Sequence, residues 1–134
     1  MVHITIEHVI LVPLLFVQII VFPYAASRMA ADWTNSQRDA ELKDAANHLA
    51  STIQQLYLSL NRREISAGNV TQVSTLPPTI SSYSYTAVGS LSSPLDSNSS
   101  KILTLSLTLE KVRNTATANA VLGPNVLWAQ GSIF

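Results

Sequence analysis

Few residues in this sequence have the types and spacing that chemistry requires. Histidine occurs three times, at His3, His8 and His48, and not at all in the second half of the chain. A zinc centre needs several ligands converging on one point, and a hydrolytic site needs a nucleophile beside a positioned base. Three separated histidines supply neither. Cysteine is absent, which removes disulfide frameworks, thiolate metal sites and cysteine nucleophiles together. Gly68, Gly89, Gly123 and Gly131 form no phosphate-cradling loop, since such a loop needs glycines at close, fixed spacings. The expectation is a chain with no catalytic residues, no cofactor and no metal, and therefore not an enzyme.

Two kinds of residue remain. Asn69-Val-Thr and Asn98-Ser-Ser are acceptor tripeptides for N-glycosylation and belong in loops or at strand edges. Glu7 is the ionisable carboxylate that abuts a long apolar run, where an unpaired charge is costly. Two readings of Glu7 stay open: an interfacial residue at the end of a membrane helix, or a group that pairs with a cation when helices pack side by side.

The apolar run extends from Val9 to Ala26 as VILVPLLFVQIIVFPYAA, without a charge. As a helix it measures about 27 Å, near the hydrocarbon thickness of a bilayer. Its thirteen large side chains are each worth about 1.5 to 3 kcal/mol on leaving water, so this surface demands a cover. Val9, Leu11, Leu14, Leu15, Phe16, Ile19, Ile20 and Phe22 are the expected inter-subunit or membrane contacts. No Lys or Arg precedes the run, as a cleaved secretory signal would have, so the segment is expected to be retained. Pro13 and Pro23 each remove one helical hydrogen bond, a defect tolerated in lipid or among neighbouring helices.

From Ala30 to Arg63 the pattern becomes that of an amphipathic helix. Leu42, Ala46, Leu49, Ile53, Leu56 and Leu60 fall in one stripe, with Arg38, Asp39, Glu41, Lys43 and Asp44 mostly opposite. Gly68 is placed to follow the helix end. A single helix from Thr5 to Arg63 would be roughly 85 Å long, with its weakest points at Pro23 and at Thr34-Asn35-Ser36, whose short polar side chains compete for backbone bonds.

Beyond Val70 the period is two. Leu103 to Glu110 alternates leucine with polar residues and reads as a strand. Ile80–Leu91, Thr115–Leu122 and Asn125–Phe134 are further candidates, the last two separated by the turn residues Gly123-Pro124-Asn125. This half is hydroxyl-rich: 14 of the 31 residues from Val70 to Ser100 are Ser or Thr. Eight basic and eight acidic residues balance to zero, without a basic run, so nucleic acid is not an expected partner. The fold class expected is α+β: a long N-terminal helix, apolar in its first half and amphipathic in its second, packed on a small antiparallel sheet. Residues 1–30 form the apolar helix, 31–68 its amphipathic continuation and 69–134 a β-rich head.

At His3–Leu11 the sequence HITIEHVIL resembles the archaeal class III signal peptide motif Gln-x-Ser-x-Glu-x-x-x-Leu of type IV pilin-like proteins. Glu7 and Leu11 stand at the Glu and Leu positions, Thr5 at the Ser position and His3 in place of Gln. The order of apolar helix, amphipathic helix and β-rich head is similar to that family as well. A processing site of the family carries a basic residue and Gly or Ala before the cut, which Met1 and Val2 do not supply. The resemblance implies an extracellular, cell-surface homopolymer whose subunits are membrane-inserted before assembly, are cut by a prepilin peptidase and are handled by pilus assembly machinery. It implies that Glu7 neutralises the terminal amine of a neighbouring subunit. The expected function is thus the major pilin of an adhesive filament; a membrane-anchored binding module and an archaellin for motility are the alternatives.

Overall fold

The computed structural model describes residues 2–62, 70–92 and 98–127, with side chains from Thr5 onward. Arg63, Gly68, Asn69, the interior of the Ser92–Ser100 turn and the end of the expected Asn125–Phe134 strand lie outside the described residues. The architecture is α+β. Helix α1 spans Val2–Leu60, and strands β1 (Tyr85–Leu91), β2 (Lys101–Leu109) and β3 (Thr115–Leu122) form an antiparallel sheet in the order β1-β2-β3.

The helix divides between two compact units, Met1–Ser36 and Gln37–Phe134. In the first unit α1 is unbroken across Pro13 and Pro23, which leaves the carbonyls of Val9 and Ile19 without their usual proline-position donor. The division between units falls on the polar stretch singled out in the sequence. There the Thr34 hydroxyl donates to the Ala30 carbonyl at 2.8 Å, a back-bond that lets a short polar side chain stay helical.

In the second unit, the predicted stripe of α1 is the face that meets the sheet. Leu42, Ala46 and Leu49 are buried, joined by Ala45 and Ala50, while Ile53 is half-buried and Leu60 exposed. Alternation supplies the opposing layer: Leu103, Leu105, Leu107 and Leu109 point inward from β2, and Ala116, Ala118, Ala120 and Leu122 from β3. Alanines of the helix and of β3 join these leucines in one buried cluster. Helix and loops are also tied by polar contacts beside Leu42. Asn114 donates to the Asp39 carboxylate at 2.7 Å, Ser81 to that of Glu41 at 3.0 Å, and the Arg38 guanidinium lies 5.1 Å from the Tyr83 ring centre. As expected, Asp39, Glu41, Lys43 and Asp44 are exposed; Arg38 is half-buried.

Two expectations are corrected. The strand expected over Ile80–Leu91 begins only at Tyr85, because a two-residue turn precedes it. Ile80 and Tyr83 exchange backbone hydrogen bonds of 3.0 and 2.9 Å, and Ser81 and Ser82 between them have φ of 49° and 68°. Asn-Gly or Asp-Gly ordinarily marks such a turn; Ser-Ser hides it. The strand expected from Asn125 is absent at 125–127, where Asn125 has a φ of 67°. Gly123 opens this bend, where a Cβ would meet the Tyr57 hydroxyl and oblige that ring to shift.

Left-handed backbone costs an L-residue about 1 to 2 kcal/mol per position. Replacing Ser82 alone with Gly, which keeps the Ser81 bond to Glu41, is therefore expected to stabilise the head by up to about 1 kcal/mol, read as a rise in melting temperature. An unchanged or lower temperature would mean that Ser82 is not strained there.

Candidate assembly surface

The surface with most to gain from a partner lies in the first unit. From Thr5 to Gln37 every residue is exposed. Helical periodicity turns side chains to every direction around the axis, and in this segment almost every direction is apolar. Val9, Leu11, Leu14, Leu15, Phe16, Ile19, Ile20 and Phe22 are between 51% and 77% accessible, about as much as a side chain on a lone helix can be. A helix that is apolar all round belongs inside a bundle or a membrane. This one is long and apolar enough to cross a membrane by length and composition. For comparison, the thirteen side chains carry roughly 20 to 40 kcal/mol of transfer free energy, well above the 5 to 15 kcal/mol that holds a typical domain folded.

Glu7 is exposed, one turn ahead of Leu11 and on the same helix. A carboxylate at the margin of such a surface has lipid headgroup or water on one side and apolar side chains on the other. Moving it into a bundle without a cation would leave a buried charge uncompensated.

The apolar surface also runs further than the sequence reading placed it. Met29 and Trp33 are 73% and 68% exposed. With Phe22 and Ala26 they recur at spacings of four, three and four, one stripe of a helix. The signal was present in that spacing, hidden because Arg28 and Asp32 interrupt the run in sequence though not on the surface. Arg28 is folded back on its own helix, donating to the Tyr24 hydroxyl at 2.8 Å and lying 5.3 Å from its ring centre.

The head presents different chemistry. Among the described residues, no three His, Cys, Asp or Glu side chains converge as metal ligands. His48 shares a shallow groove with Glu41, Asp44 and the loop from Thr75 to Ile80, and His8 sits in the exposed part of the helix. Asn98 is exposed in the turn between β1 and β2, where the sequence placed it. Lys101 was not singled out from sequence. It begins β2 on the inward face, is fully buried, and donates from Nζ to the Val126 carbonyl at 2.7 Å. That bond ties the chain after β3 to the sheet and offsets part of the cost of burying an ammonium group. Burial also pushes the Tyr85 phenol above its usual pKa, in keeping with a hydroxyl that donates to the Pro77 carbonyl at 2.7 Å.

No protein-family model, curated protein or solved structure matches this chain.

A helix with this much exposed apolar surface partitions out of water. Expressed full-length, the chain is expected in the membrane fraction, resistant to alkaline wash and released by detergent. Recovery as a soluble monomer would show that the segment is covered within its own chain.

Proposed function

We propose that this chain is a structural subunit, not an enzyme: the major pilin of an extracellular archaeal type IV pilus-like filament that serves surface adhesion. The apolar segment holds the subunit in the membrane before assembly and is then re-buried among identical helices, with the heads outward. The observation that carries this reading is the length of the exposed apolar surface. Trp33 lies seven residues past Ala26, about 10 Å along the helix, whereas the headgroup layer beyond the hydrocarbon is only some 5 to 8 Å deep. Met29, about 4.5 Å past Ala26, still falls within that layer, but a tether has no use for an exposed Trp33 beyond it; a helix bundle does. The likeness of His3–Leu11 to the class III signal motif supports the same reading and gives Glu7 its role, pairing with the terminal amine of a neighbour.

Lipid and helix bundle are comparably apolar, so assembly gains little from the hydrophobic effect alone. Close packing between helices and contacts between heads supply the difference.

Electron microscopy after detergent removal tests this directly, with regular filaments expected. Ile19→Asp places a charge in the bundle and is expected to abolish filaments without changing the melting of the head. Glu7→Gln is expected to lower filament yield several-fold. A wild-type protein that remains a monodisperse detergent-bound monomer would overturn the proposal, and a Glu7→Gln protein with full yield would remove the pairing role alone.

A further inference from the structure

The two outer edges of the sheet meet different surroundings. Beside β1, the Tyr85 hydroxyl donates to the Pro77 carbonyl at 2.7 Å, and Gly89 has a further interaction partner. β3 pairs with β2 along its whole length, from Thr108↔Thr115 to Lys101↔Leu122. Among the described residues, no other backbone hydrogen bond reaches it. Alternate amides and carbonyls of β3 therefore point outward, a template for another strand.

Sheet edges are ordinarily kept apart by charge, proline, a bulge or a covering segment. The β3 sequence TATANAVL contains no charge and no proline, and its register with β2 is unbroken. Side chains beside the edge are small: Ala116, Ala118 and Ala120 face inward, Thr115, Thr117 and Asn119 outward. Another backbone can therefore approach to the usual strand spacing of about 4.8 Å.

We infer that the β3 edge pairs, antiparallel, with the β3 edge of a second copy of this chain, making one six-stranded sheet across the pair. The strand suits itself as its partner. Antiparallel neighbours facing each other must lie on the same side of the sheet, which leaves registers centred on a residue. A pairing centred on Ala118 sets Thr117 opposite Asn119 of the second copy; one centred on Asn119 sets that residue opposite itself. Both join inward alanines to inward alanines with no charge opposed; outward, Val121 meets Thr115 in the first register and Thr117 in the second, a β-branched pair in either case. A charged peptide would find nothing on this edge to recognise.

Such a contact is two-fold and closes at two copies. It cannot be the repeating contact of a filament whose subunits all point one way. On the filament reading, which this consequence but not the pairing itself rests on, the β3 edges join filaments lying side by side in opposite directions.

The absence of cysteine from the chain makes single-cysteine reporters clean. Asn119→Cys alone, and Thr117→Cys mixed with Asn119→Cys, are oxidised in the detergent-solubilised full chain and again after filament formation. A disulfide-linked dimer in either sample, well above a Ser90→Cys control on β1, is the expected result. Cross-linking no greater than the control in both samples overturns the pairing. A Thr117→Lys and Asn119→Lys double variant opposes like charges in either register. Micrographs are expected to show its filaments separated where the wild type lies in bundles. Persisting bundles, or loss of the filaments themselves, count against the two-fold contact. If the wild type forms no filaments, the proposed function fails, while the cross-link in detergent still decides the pairing.

Discussion

The constraint that shapes this molecule is an apolar helical surface left exposed in the first unit. Everything from Thr5 to Gln37 is exposed, while the core of the second unit is complete without it, closed by Leu42, Ala46 and Leu49 against the leucines of β2. A small domain of this size buries only part of its surface, and this one spends its large apolar residues on a segment outside its core. The fold is stable as a head and unsatisfied as a helix. Whatever the chain does must begin with what covers residues 5–33.

The head is nearly balanced in charge. Its charges cluster on α1 and on the turn carrying Glu110, Lys111 and Arg113. The outward face of the sheet holds Thr, Ser and Asn beside Val88, Ile102 and Val121. Among the described residues the buried charge is Lys101, which anchors the chain beyond β3 through Val126. Such a head resists little when copies crowd together, because no like charges meet across the sheet. Helix and head thus favour the same outcome, close association of identical chains, through different physics.

Where a single periodicity ran uninterrupted, the structure could be read from the sequence. β3 occupies Thr115–Leu122 as expected, and the Leu42, Ala46 and Leu49 stripe is the buried one. β2 begins earlier than expected because Lys101, charged yet inward, looks like a loop residue until its carbonyl partner is known. The Ser81-Ser82 turn escaped because it depends on left-handed backbone that serine signals poorly. On the candidate surface, Val9–Phe22 was plain from hydropathy. Met29 and Trp33 were masked by neighbouring charges that the helix turns aside. The open edge of β3 could not be read at all, since an edge is defined by pairings made elsewhere in the chain.

What surrounds Phe16 in the working state of the protein separates a helix bundle from lipid. A nitroxide attached at Phe16→Cys, the only thiol in the chain, reports both its neighbours and its solvent by electron paramagnetic resonance. Burial among identical helices predicts strong spin–spin broadening, relieved by dilution with unlabelled protein, together with protection from oxygen dissolved in lipid. A narrow, undiluted-looking spectrum with full oxygen access in that state would show the helix still facing lipid, and would contradict the account.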